Sequence, residues 1–73
     1  ENIQVYPNPS SGLFQLSGLE QKASIRVFDA FGTLIQEIQE TTFDLSHCAE
    51  GLYFVHIVTA NGAIISKKIV LNK

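Results

Sequence analysis
Cys48 and His56 are the two residues of this 73-residue chain whose types could form a nucleophile and its base. His47, adjacent to Cys48, and the carboxylates Asp29 and Asp44 are the other groups that could hold a proton or a cation. None of them sits in a pattern that makes the chemistry work. Nucleophilic catalysis needs a third group to orient the base and a turn that can stabilise an oxyanion, and neither is evident around Cys48. Neighbouring side chains on an extended segment diverge, so His47 and Cys48 do not converge on one metal, and no second spaced pair completes a tetrahedral set. Asp29 and Asp44 lack the alternating acidic spacing of a calcium loop. The glycines each open or close a turn, so no phosphate-cradling loop is formed. The expectation is a non-enzymatic chain with no catalytic residue, no cofactor and no metal. Cys48 is expected to be a small buried thiol, and His56 a partly exposed strand residue.

The elements that would have to position such groups are short. Apolar residues make up 45% of the chain, enough for a packed core. At this length the stability comes to about 4–10 kcal/mol, and the single cysteine gives no internal disulfide to support it. No apolar run has the length of a membrane-spanning helix, and neither a signal peptide nor direct membrane insertion is expected. Glu1 is not an initiator methionine, in keeping with a piece cut from a longer protein. The net charge is −2, unevenly spread. All seven acids fall within residues 1–50, where Lys22 and Arg26 are the only basic partners, while residues 51–73 carry Lys67, Lys68 and Lys73 and no acid. Three lysines without interleaved aromatics give no nucleic-acid footprint. On an edge strand they would discourage aggregation or mark an interaction tail.

Seven apolar runs separated by turn signals predict strands over residues 2–6, 13–16, 24–27, 34–38, 42–45, 52–59 and 63–71. Strands at this spacing fit an all-β sandwich. The proline pair in Tyr6-Pro7-Asn8-Pro9 fixes a rigid surface turn, with Tyr6 and Asn8 held extended and Gly12 re-entering a strand. Asp29-Ala30-Phe31-Gly32 reads as a type I turn. In the last hairpin two registers compete. A two-residue Asn61-Gly62 turn would set Val55 against Lys68. A three-residue Ala60-Asn61-Gly62 loop sets Tyr53 against Ile69, Val55 against Lys67 and Ile57 against Ile65. The second gathers the apolar residues on one face and puts Gly62 at the left-handed position of a turn with a bulge, so it is preferred. Lys67 then lies on the buried face near its rim, with its ammonium reaching water.

Four segments, in order, resemble a known family. Val5-Tyr6-Pro7-Asn8-Pro9-Ser10-Ser11-Gly12 matches its opening Y-P-N-P-x-x-G signature, and Ile25 to Gly32 its strand followed by a D-x-x-G turn. Gly51-Leu52-Tyr53-Phe54-Val55-His56-Ile57 matches its G-x-Y-x-V-x-I strand, and Lys67-Lys68-Ile69-Val70-Leu71 its basic-apolar ending. The chain thus resembles the type A carboxyl-terminal sorting domain of the type IX (Por) secretion system of Bacteroidetes-type bacteria. The resemblance implies a seven-stranded antiparallel β-sandwich of Ig-like or fibronectin-like architecture, forming a single carboxyl-terminal domain over residues 1–73. It implies an upstream cargo domain, export across the periplasm and outer membrane to the cell surface or beyond, recognition by the translocon, and removal by a sortase-like surface peptidase cutting upstream of Glu1. It places the export information in Lys67, Lys68, Ile69, Val70 and Leu71. Tyr6, Pro7, Asn8, Pro9, Gly12, Asp29, Gly32, Gly51, Tyr53 and Gly62 then serve as structural motif residues. Leu71-Asn72-Lys73 departs from the more usual basic ending, and Cys48 is not a family hallmark. The alternative is an accessory adhesion or carbohydrate-binding sandwich, against which stand the absence of Trp and the presence of only two Tyr. Dimerisation through edge strands is left open.

Overall fold
The computed structural model describes residues 3–8, 10–18 and 23–73, so the expectations for Asn2 and Pro9 fall outside the described residues. Seven strands follow one another: β1 (Gln4–Tyr6), β2 (Leu13–Ser17), β3 (Ser24–Asp29), β4 (Leu34–Ile38), β5 (Thr42–Asp44), β6 (Gly51–Val58) and β7 (Ile64–Leu71). They form a three-stranded sheet, β1-β2-β5, and a four-stranded sheet, β4-β3-β6-β7, with every strand pair antiparallel. In immunoglobulin constant domains the fourth strand joins the first sheet. Here β4 lies beside β3 in the larger one.

Alternation along the strands sets what goes inside. Ile3, Phe14, Leu16, Phe43 and Leu45 come from the small layer and Ile25, Val27, Tyr53, Val55, Ile57, Ile69 and Leu71 from the large one, all buried in one core. Phe14 and Phe43, opposite each other on β2 and β5, stack with ring centroids 5.3 Å apart. The observed strands lie within two residues of the expected ends. Leu45, expected as the end of β5, is a buried residue just past it. Cys48 departs from expectation: it is only half-buried, against the rim of the core, because it sits in the turn after β5 and not on a strand. There its amide donates to the Leu45 carbonyl at 2.9 Å.

Both long hairpins close in the same way. In Asp29–Thr33 the Gly32 amide donates to the Asp29 carbonyl (3.1 Å) and the Asp29 amide to the Thr33 carbonyl (3.0 Å). Thr59–Ala63 repeats this with Gly62 and Thr59 at 3.0 and 2.9 Å. Gly62 has φ +90°, a region that costs a side chain dearly, and this permits the three-residue loop. The register that follows is the preferred one: Tyr53 opposite Ile69, Val55 opposite Lys67, Ile57 opposite Ile65. Asp29 stiffens its turn further, its Oδ1 accepting from the amides of Phe31 and Thr33, both at 2.9 Å.

Gly12 is required for a different reason. Its carbonyl accepts from the Leu45 amide at 2.8 Å, which draws the two backbones together. A Cβ built on Gly12 would stand 2.8 Å from Ser46 Cβ and 3.0 Å from Ser46 Cα. Gly12→Ala is therefore expected to destabilise the domain by about 1–3 kcal/mol, as overpacking does. A thermal melt checks this, and an unchanged midpoint would refute the close approach as the reason for glycine.

Candidate recognition surface
The residues named for recognition lie on β7, an outer strand of the larger sheet. They do not share one face. Ile69 and Leu71 point into the core, and Lys67 points the same way at its rim, half-buried as expected. Lys68 and Val70 face outward. Lys68 ends a row that runs across the sheet through Phe54 and Phe28 to Leu34, and Val70 stands beside Leu52 in the next row. Leu34, Leu52 and Val70 are substantially exposed, Phe28 and Phe54 partly so. Next to this row, His56 packs on Phe28 with ring centroids 4.8 Å apart.

The proline turn performs a task that its sequence does not announce. After β1 the chain leaves the small sheet, passes through the cis Tyr6–Pro7 bond, and runs along the outer edge of β7. The Asn8 side-chain amide donates to the Lys68 carbonyl at 3.1 Å, and the Val70 amide donates to Asn8 Oδ1 at 3.0 Å. The Ser10 amide then donates to the Val70 carbonyl (3.2 Å) and the Asn72 amide to the Ser10 carbonyl (2.8 Å), forming a parallel bridge between Ser10 and Leu71. Asn8 thus uses its side chain as a neighbouring strand uses its peptide group. Ser10 is itself pinned, its Oγ donating to the Leu13 carbonyl and accepting from the Gly12 amide. Downstream, the Lys73 amide donates to Glu50 Oε1 at 2.9 Å. The end of β7 is thus held by Asn8 and Ser10 on its outer edge, and Lys73 beyond it by Glu50, just before β6.

The remaining motif residues hold the frame. Tyr53 lies near the start of β6, is buried, and donates its hydroxyl to the Ala49 carbonyl at 2.6 Å. That is the tyrosine corner of Ig-like sandwiches. Burial pushes its pKa above 10.0, with Cys48 and Asp29 adding to the rise. Gly51, with φ +144°, turns the chain into β6, and Asp29 and Gly32 build the β3–β4 turn. Tyr6 is exposed at the end of β1.

The groups considered for chemistry stay apart. Cys48 lies against the core at the β5–β6 corner, while His56 is on the outer face of β6. The Ser46 amide donates to Asp44 Oδ1 at 2.8 Å and, with its side chain, holds that carboxyl below 3.8. Among the described residues no three of His, Cys, Asp and Glu gather at one place. Arg26 and Glu37 pair at 3.0 Å across β3 and β4, both well exposed, an arrangement that contributes little to stability.

Two stacked antiparallel layers with a partly clasped edge define a small Ig-like or fibronectin-like β-sandwich. Its family is found by comparison: residues 4–72 match the family described as Secretion system C-terminal sorting domain, and the chain belongs to it. Members are non-catalytic carboxyl-terminal signals of type IX secretion cargo, engaging the secretion machinery and directing cargo through the periplasm and outer membrane to the cell surface. The fold is similar to a solved structure from work on PorZ, described as an essential bacterial surface component of the type-IX secretion system of human oral-microbiomic Porphyromonas gingivalis. The two share 20% identity with a TM-score of 0.77, over 97% of this chain and 11% of that one. A search of curated proteins found no match.

Proposed function
We propose that residues 1–73 are one carboxyl-terminal sorting domain following a longer cargo, read by the translocon through β7 and then removed by a sortase-like surface peptidase cutting upstream of Glu1. The observation that carries this reading is the makeup of β7. It is an outer strand that displays Lys68 and Val70, keeps Lys67 at the rim, and belongs to a stretch of the chain without a single acid. Ile69 and Leu71 serve the same surface from beneath by fixing the strand to the core. Tyr6, Pro7, Asn8, Pro9, Gly12, Asp29, Gly32, Gly51, Tyr53 and Gly62 support its shape.

Fused behind a periplasmic reporter in a host with a working type IX system, residues 1–73 are expected to carry the reporter to the surface. Retention of a folded fusion in the periplasm would overturn the reading. Replacing Lys67 and Lys68 together by Ala is expected to reduce export while leaving the thermal melt nearly unchanged, since both ammonium groups reach water.

A further inference from the structure
The clasp covers only part of the β7 edge, and what it leaves open has a definite shape. The Lys68 carbonyl, both backbone groups of Val70 and the Asn72 amide all face the clasp. In an antiparallel ladder the two backbone groups of one residue point the same way, and alternate residues share that direction. The even-numbered residues of β7 therefore face outward, while the odd-numbered ones pair with β6. It follows that the amides and carbonyls of Ile64 and Ser66, with the amide of Lys68, also point outward. β7 has β6 as its strand partner, and among the described residues none of these five groups is taken by a turn or a side chain. Ile64 is 69% exposed at the far end of this window.

We propose that the window Ile64–Lys68 is a docking edge for one extended segment of a partner protein, about five residues long, apolar where it meets Ile64 and Ile65 and acidic where it meets Lys67 and Lys68. This rests on the reading of β7 as the recognised strand and adds the mode of recognition and the chemistry of what is recognised. The edge already accepts protein groups over its other half, since the Asn8 side chain and the Ser10 backbone pair with it as a strand would. A partner adding to a sheet edge gains main-chain hydrogen bonds, and its specificity comes from the side chains that alternate beside it. The two lysines flank the window on opposite faces, Lys68 on the outer face and Lys67 at the rim of the inner one. Neither pairs with a carboxylate among the described residues. A neighbouring strand would thus meet a positive charge on both of its faces at one end. Asn8 sets the limit of the window, because its side chain occupies the Lys68 carbonyl and the Val70 amide.

The test uses the isotopically labelled domain and a capped six-residue peptide of three valines followed by three glutamates. Its titration is expected to shift the amides of Ile64, Ser66 and Lys68 and slow their hydrogen exchange, leaving Val70 and Asn72 in place. The same peptide with lysine for glutamate is expected to bind at least about tenfold more weakly. Ser66→Pro removes one outward amide and no ladder bond, a change edge strands tolerate, so it is expected to fold and lose the titration. Should it fail to fold, the double variant K67E/K68E decides, by preferring the lysine peptide. Unmoved amides over residues 64–68, shifts confined to β4 or the outer face, or an unchanged peptide preference in K67E/K68E would each overturn the proposal. So would self-association that protects the same amides without peptide, which would assign the window to a second copy. Export of a reporter fused to folded Ser66→Pro at the wild-type level would overturn this inference and leave the export reading intact. A positive titration with a wild-type fusion stranded in the periplasm would overturn the export reading alone.

Discussion

Deleting Lys67 to Lys73 is expected to leave a chain that does not fold. The deletion removes Ile69 and Leu71, 0% and 1% exposed, from the core face of the large layer. Truncating one such side chain to alanine costs about 2–5 kcal/mol, and here two are lost with five of the eight β6–β7 pairs. The clasp goes as well, since Asn8 and Ser10 lose the Lys68, Val70 and Asn72 groups they bind. Against a total of about 4–10 kcal/mol for a domain of this size, nothing remains. Circular dichroism and amide dispersion check this. A cooperative melt within about 5 °C of the full chain would show that β7 is an appendage and not part of the core, since 1 kcal/mol moves such a midpoint by about 4–8 °C. The consequence for function is direct: loss of export on truncation would report unfolding as much as lost recognition. Substitutions confined to Lys67, Lys68 and Ser66 separate the two, because none of those side chains is fully buried in the core or bound in the clasp.

What could be read from the sequence divides along the same physical line. The β6–β7 register was legible because both strands alternate strongly and a one-residue slip would have turned Ile65, Ile69 and Leu71 outward. Strand β4 was legible as a strand, but its partner and inward face were not. A register shift opposite Val27 and Phe28 breaks its alternation. Gln36 therefore turns inward, its Nε2 donating to the Asp44 carbonyl across the gap between sheets at 3.0 Å, while Leu34 and Ile35 stay exposed. The row of Phe28 and Phe54 carried a faint signal, apolar residues out of phase with their neighbours, that a core-seeking reading absorbs. Tyr53 was legible as a core aromatic, yet the corner it makes with Ala49 was not. The clasp was the least accessible of all. Asn8 and Val70 lie 62 positions apart, and a polar side chain standing in for a peptide group leaves no periodicity to detect. Proline positions predicted a rigid turn but not what that turn holds.

Phe14→Ala is the point substitution expected to do the most damage. Phe14 is fully buried on β2, the middle strand of a sheet whose outer members, β1 and β5, have three residues each. Strands so short have few ladder bonds, so this layer is held to the other mainly by the side chains beneath it. Phe14 is the largest fully buried one and supports Phe43 by stacking at 15° between planes. Removing the ring costs about 3–5 kcal/mol, which lowers the melting midpoint by more than about 12 °C. Its neighbour Leu13 faces solvent at 55% exposure, and Leu13→Ala is expected to stay within about 0.5 kcal/mol of wild type. Hydrogen exchange at Val70 distinguishes local from global damage. β2 begins just after the Ser10–Gly12 turn that carries the clasp, so loosening Phe14 is expected to expose the Val70 amide together with the core amides. If Phe14→Ala melted like Leu13→Ala, the small sheet would be a dispensable cover, and the clasped edge of β7 would have to be held in place by the large sheet alone.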